Sequence, residues 1–188
     1  MIYTHANCNP GDSQALSEMD HAIWKQKLLS ALESCGVDGR NAAEYLRAHK
    51  TYVGFWRVRK NVGAFWTILG TIHLNSYYYS YQTDLNDIGL LTLLIHEAKH
   101  LQQGPILAFS IYGELEAWQL QFRLYHQLAN TKLHPAIEEM LSLPLNWDRD
   151  VLRRARDLMQ AYAGKGYRAD LLPLYPLGRE IKYWLMRR

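Results

Sequence analysis

The residues best suited to chemistry lie between His96 and His100, where the sequence contains an HExxH motif. Residues four apart on a helix share one face and are about 6 Å apart along its axis, so both imidazoles can bind one cation at about 2.0–2.1 Å. Glu97 points about 100° away around the helix and is poorly placed as a third ligand. It can instead reach a water molecule on the open side of the metal, as a general base must. The alternative is a pair of satisfied histidines beside a helical glutamate.

The helix that carries this motif is expected to be buried. Residues 88–95 form the longest apolar run of the chain, after the capping residues Asp84 and Asp87 and before Gly104-Pro105. Because the first two turns are apolar on every side, the helix should run through the middle of the protein. Two imidazoles and a carboxylate without partners would be costly there, which favours the metal hypothesis.

A third ligand is expected on the next helix, predicted over residues 109–129. Apolar residues recur there at helical spacing: Ile111, Leu115, Trp118, Phe122 and Tyr125. Glu114 falls within this stripe, whereas Glu116 lies outside it and should face solvent. A core-facing carboxylate opposite two histidines completes a His₂Glu zinc site. The alternative for Glu114 is a buried salt bridge with an arginine.

Together these features resemble the gluzincin branch of zinc metallopeptidases. The shared features are an HExxH on a buried helix, a glutamate on the next helix and an upstream antiparallel meander. The segment from Glu114 to Ala117 is similar to the E-x-x-A-D/N/Y pattern of several compact intracellular gluzincin families. The resemblance covers residues 70–125 and implies a zincin-like fold, one bound zinc ion (Zn2+) and cleavage of peptide bonds.

When the residue roles of these families are transferred by position, the resemblance implies that the zinc ligands are His96, His100 and Glu114. It implies that Glu97 is the catalytic base. One residue departs from the pattern. Several of these families have an aspartate four residues after the ligand glutamate, and this chain has Trp118. A carboxylate that orients a ligand histidine must then come from elsewhere or be missing.

Two other classes of HExxH enzyme are excluded. Metzincins continue the motif as HExxHxxGxxH, but this chain has Gln103 and Ile106 at the corresponding positions. Peptide deformylases take a third ligand from a cysteine in a Gly-Cys-Leu context. Neither Cys8 nor Cys35 has that context.

Peptide cleavage also needs a donor for the oxyanion, and Tyr167, Arg168 and Tyr175 are candidates near glycine and proline turns. The resemblance implies that residues 72–75 form the sheet edge that pairs with an extended substrate. Four tyrosines follow this strand and either flank the cleft or pack the sheet against helices: Tyr77, Tyr78, Tyr79 and Tyr81.

The helices and strands that must position these residues are predicted to form one α+β domain of zincin-like architecture. In it, a small antiparallel sheet packs on the buried HExxH helix. Short segments rich in β-branched and aromatic residues alternate with glycine turns between residues 51 and 82, which predicts strands. The single domain, residues 1–188, divides into N-terminal helices (1–50), an antiparallel meander (51–82), the metal-site helices (84–130) and C-terminal helices (131–188).

Composition narrows the function. The chain has 188 residues, 48% of them hydrophobic, and a net charge of +3 from 21 basic and 18 acidic residues. That charge is too small to indicate a nucleic-acid partner. The arginines at 149, 153, 154 and 156 alternate with aspartates, which is typical of a solvated helix face. Two cysteines are too few for a disulfide scaffold.

The start of the sequence has no signal-peptide pattern, and no apolar run is long enough to cross a bilayer. We therefore expect a cytoplasmic protein without a membrane partner. The sequence favours a zinc-dependent hydrolase, a small metallopeptidase that acts on a peptide or protein substrate. The alternative is a zincin-like metal-binding interaction module with little or no turnover. No feature indicates an oligomeric state.

Overall fold

The computed structural model describes residues 18–164 and 167–186, which form seven α-helices, one short 3₁₀ helix and one three-stranded sheet. In chain order the elements are α1 (Glu18–Glu33), α2 (Val37–Ala48), β1 (Val53–Trp56), β2 (Ala64–Trp66), β3 (Ile72–Asn75), α3 (Ile88–Ala108), α4 (Ile111–Ala129), α5 (Pro135–Ser142), α6 (Arg149–Ala163), the 3₁₀ turn (Ala169–Leu171) and α7 (Leu177–Met186). The predicted α+β class is confirmed. Cys8 and the first 17 residues of the predicted N-terminal helical region (1–50) lie outside the described residues.

The sheet is mixed, which corrects the predicted antiparallel meander at 51–82. Its strand order is β1-β3-β2, with β1 parallel and β2 antiparallel to β3. The expected hairpin between β1 and β2 does not form, because β3 lies between them. The expectation that residues 72–75 form the sheet edge is also wrong. β3 pairs on both sides, and the strand next to the HExxH helix that has a free edge is β2.

Asn75, at the end of β3, explains the difference. Its side chain is fully buried, and its Nδ2 donates to the carbonyls of Arg59 at 3.0 Å and Val62 at 2.7 Å. Its Oδ1 accepts from the N–H of Val58 at 3.3 Å. The connection over residues 57–63 is therefore tied across the end of β3, which leaves β3 free to enter between its two neighbours.

Helix α3 begins where its sequence predicts. Asp87 caps it by accepting from the N–H of Leu90 at 2.8 Å, and the turns that follow are almost entirely buried. Gly104, with φ of 70°, breaks the helix before Pro105, and one further helical turn ends at Ala108. The side of α3 that carries the HExxH motif therefore lies in the interior.

The link from α3 to α4 is unusually tight. Ser110 caps α4 by accepting from the N–H of Gly113 at 3.1 Å. A Cβ atom at Gly113 would lie 2.2 Å from the carbonyl oxygen of Leu107, so only glycine permits this approach. The two helices pack together, and Glu114 directly follows their contact at Gly113.

Two apolar clusters flank this helix pair. One joins α1, α2, the sheet and α3, and the other joins α4, α5, α6 and the segment that ends at Tyr175. Tyr79 is buried in the first cluster, and the ring of Tyr81 lies 5.1 Å from that of Trp24 and 4.7 Å from that of Phe55. Tyr81 therefore packs the sheet against α1, as one of the two sequence hypotheses holds, and Tyr79 is part of the same core.

The charged face of α6 is paired with acids. Three ion pairs lie on it: Arg153 with Asp150, Arg154 with Glu139, and Arg156 with Asp157. Cys35 is a free, buried thiol. Of the helices that the structure describes, none combines the length and apolar character needed to cross a membrane.

Replacing Asn75 with alanine should lower the free energy of unfolding by about 2–4 kcal/mol, because buried carbonyl and N–H groups of the 57–63 connection lose their partner. Urea denaturation followed by circular dichroism measures the change. The control is Asn86→Ala, whose exposed side chain bonds only the neighbouring Asp84. Equal stability of the two variants would show that Asn75 does not organise the sheet.

Candidate metal centre

The three predicted ligands meet between α3 and α4. The Nε2 atoms of His96 and His100 are 3.0 Å apart, and Glu114 places Oε1 3.6 Å from Nε2 of His100 and Oε2 4.0 Å from Nε2 of His96. One ligand atom from each residue fits within a span of 4.8 Å. Ligand atoms around a tetrahedral ion with bonds of 2.0–2.1 Å lie about 3.3–3.4 Å apart. The group could therefore hold a metal ion.

Gln103 fixes the tautomer of His100. Its Nε2 donates to the carbonyl of Gly113 at 2.9 Å and to Oε2 of Glu116 at 3.0 Å. Both partners are acceptors, so the amide can have only one orientation, with Oε1 facing Nδ1 of His100 at 3.0 Å. Nδ1 must then carry the proton, which leaves the lone pair of Nε2 directed at His96 and Glu114.

The surroundings of the other imidazole, that of His96, favour its neutral form. Burial, and then the neighbouring His100, lower the pKa of His96 well below its usual value, while the Ala117 backbone and the Gln121 side chain act in the opposite direction. Within the described residues, Nδ1 of His96 is buried without a hydrogen bond of good geometry. Two buried imidazoles and a carboxylate that converge in this way could hold a cation, which would satisfy their ligand atoms together.

Glu114 is held by two donors on its far side. Its Oε2 accepts from the hydroxyl of Tyr167 at 2.8 Å and from Nε1 of Trp118 at 3.1 Å. Among the described residues, Glu114 forms ion pairs with the two histidines alone. It therefore does not form the buried arginine salt bridge that was the alternative hypothesis. Trp118, the residue that departs from the gluzincin-like sequence pattern, thus bonds the Glu114 carboxylate.

Glu97 is buried next to this group. Burial, and then the negative charge of Glu114, raise the pKa of the Glu97 carboxyl to about 8, and a hydrogen bond from the backbone of Trp66 counteracts part of the rise. A divalent cation between the two carboxylates would lower the pKa again. A pKa that is strongly shifted by burial and by a specific neighbouring charge is typical of functional sites.

Only one of the three proposed oxyanion donors lies at the site. Tyr167 bonds Glu114, and burial, together with that carboxylate, raises its pKa well above the usual value, so the hydroxyl stays protonated. Arg168 pairs with Asp170 at 3.0 Å on an exposed surface. Tyr175 packs elsewhere, with the guanidinium of Arg149 5.6 Å from the centre of its ring.

Glu116 corrects another expectation, because it does not face solvent on the far side of α4. Its carboxylate pairs with Nζ of Lys99 at 2.7 Å and accepts from Gln103 at 3.0 Å. The flank of α3 supplies these partners, and helical phase on α4 alone cannot reveal them. Gln103 itself could have been found from sequence, because it follows His100 by three residues on the same helix face. Trp66, on a distant strand, left no such signal.

The support for this site is geometric: a His/His/Glu group that could hold a metal ion, whose identity the geometry does not determine. No family model, no curated protein and no solved structure matches the chain.

Glu114→Ala should abolish tight metal binding, because two imidazoles alone make a much weaker site than three ligands. The protein is loaded with Zn2+ as the probe ion, dialysed, and its metal content measured by mass spectrometry. The control is Glu33→Ala, which removes a half-exposed carboxylate paired only with Arg47. Full metal content in Glu114→Ala would place the third ligand elsewhere.

Gln103→Leu should weaken Zn2+ affinity by about 10- to 100-fold, because His100 loses the partner that fixes its tautomer and orientation. Competition with a fluorescent chelator measures the affinity. Gln102→Leu is the matched control, an adjacent and exposed glutamine on the same helix. If both variants bound Zn2+ as tightly as the wild type, the role assigned to Gln103 would be wrong.

Proposed function

We propose that the protein is a zinc-dependent hydrolase that cleaves peptide bonds, with zinc held by His96, His100 and Glu114 and with Glu97 as the general base. One observation carries the proposal. The Glu97 carboxylate is buried beside a three-residue ligand group, and in the described part of the chain it forms no ion pair of its own. A buried carboxylate in that position has a physical reason to exist if it handles a proton.

The donor set supports zinc. Imidazole nitrogens and a carboxylate oxygen are common zinc ligands, and three protein ligands leave the fourth position open, as catalytic sites require. The ligand carboxylate is also held by two hydrogen bonds from its far side, which keeps Oε1 directed at the histidines. When bound, a zinc ion would supply Lewis acidity to the scissile carbonyl.

Groups of the protein itself transfer the proton and hold the reacting carboxylates in place. Glu97 takes a proton from the attacking water and passes it to the leaving amine, and the backbone of Trp66 holds its carboxylate in place. Tyr167 remains protonated, and because its single hydroxyl proton is donated to Glu114, it holds the proposed ligand carboxylate in place. A bound cation would lower the raised pKa of Glu97 and so favour the ionised carboxylate, which is the form that can accept a proton.

The substrate would bind along β2. This strand pairs with β3 through the backbone groups of residues 63, 65 and 67, so those of Ala64 and Trp66 face its other edge. The Trp66 backbone N–H donates there to Glu97, which leaves the Ala64 backbone and the Trp66 carbonyl for a substrate. An extended peptide can add to such an edge by main-chain hydrogen bonds. Because the Trp66 backbone also contacts Glu97, a peptide on this edge would pass close to the base.

A second candidate is a metal-binding module without turnover. It is favoured by the shielding of the ligands, whose side chains are only 8%, 2% and 14% exposed for His96, His100 and Glu114. Closed metal sites are typical of structural zinc, although those sites have four protein ligands. Replacing Glu97 alone distinguishes the hydrolase from the metal-binding module, because only the hydrolase has an activity to lose.

Glu97→Gln should keep its metal and its fold while peptide hydrolysis falls by about 10²- to 10⁴-fold, because the amide cannot accept the proton. Hydrolysis of a fluorogenic peptide mixture by zinc-loaded protein measures the loss. Glu44→Gln, an exposed carboxamide substitution on α2, is the control. Wild-type activity equal to that of Glu97→Gln, with contaminating proteases excluded, would end the peptidase assignment and leave the binding module.

A further inference from the structure

Two segments with exposed apolar side chains and no charged ones lie beside the group formed by His96, His100 and Glu114. The turn after β2 exposes Ile68 and Leu69 by 71% and 85%, and the last turn of α3 with its cap exposes Ile106 and Phe109 by 69% and 50%. Residues 64–71 and 104–111 contain no charged side chain, in a protein that is 21% charged. Exposed apolar clusters of this kind usually mark a surface that binds something.

Trp66 connects this surface to the ligands. It lies on the inner face of β2, with its ring centre 5.9 Å from that of His100 and 4.8 Å from that of Phe109. Its backbone contacts the Glu97 carboxylate. An apolar wall therefore begins at a metal ligand, passes over Trp66 and reaches solvent at Phe109.

The break in α3 produces this arrangement. Gly104, with its positive φ, ends the straight part of the helix, and Ala108 is buried while its neighbours Leu107 and Phe109 are less so. Phe109 is thereby carried back over the sheet, where its ring meets that of Trp66.

We propose that Trp66 and Phe109 form a subsite for a bulky, uncharged apolar side chain of the bound ligand. The inference rests on the proposed function and names its substrate class: peptides with an aromatic or large aliphatic residue next to the scissile bond. A ring placed there removes apolar area from water on both partners. A charged side chain would lose hydration without gaining a partner from either bordering segment.

The test compares two metal-binding probes on zinc-loaded protein by calorimetry. Acetohydroxamate reports the open coordination position alone, and 3-phenylpropanohydroxamate adds an aromatic group. We expect the phenyl probe to bind about 10-fold or more tightly, because its ring is buried against the subsite. Phe109→Ala should reduce this preference at least about threefold without changing acetohydroxamate affinity, and Phe109→Leu should retain most of it.

Trp184→Ala is the matched control, because Trp184 on α7 is 53% exposed, close to the 50% of Phe109. It should leave the preference unchanged. Equal affinities of the wild type for both probes, an undiminished preference in Phe109→Ala, or an equal loss in Trp184→Ala would each overturn the subsite. The first of these results would leave the proposed function standing.

The two proposals also fail in different ways. If neither hydroxamate binds the zinc-loaded protein, the metal has no accessible position, and both the hydrolase and the subsite are wrong. If the phenyl preference is present but no peptide is cleaved by the wild type, the hydrolase assignment fails and the subsite remains.

Discussion

The close contact between α3 and α4 is the constraint on which the rest depends. Gly113 lets α4 approach the end of α3 until a Cβ would collide with the carbonyl of Leu107, and the next residue is Glu114. Its carboxylate is thereby set opposite two buried imidazoles on α3. In a nearly dry interior such groups are costly without a partner, and a bound cation is one way to satisfy them together.

The surrounding polar groups hold His100 and Glu114 in orientations suited to a shared cation. Gln103 gives His100 its metal-binding tautomer, and Glu116 with Lys99 fixes the orientation of Gln103. Trp118 and Tyr167 hold Glu114 from the other side. Hydrogen-bonded neighbours of this kind orient ligands and adjust their basicity. Together they make the site a network between two helices rather than three isolated ligands.

The sequence predicted what depends on helical periodicity and failed where distant segments meet. The spacing of His96 and His100 and the phase of Glu114 are local, so the His/His/Glu group follows from them. The α+β class follows from local patterns of another kind, the short β-branched and aromatic segments between helical ones. The strand order does not, because it depends on Asn75 binding carbonyls 13 and 16 residues away. Glu116 was misplaced for the same reason, since its partners lie on another helix.

X-ray absorption at the zinc edge of the loaded protein would show whether a metal binds between α3 and α4 with an open coordination position. The proposed site predicts one zinc per chain, two imidazole nitrogens, and oxygen ligands that include one exchangeable with added hydroxamate. A sulfur ligand, a shell with fewer than two imidazoles, or protein that binds no zinc would contradict it.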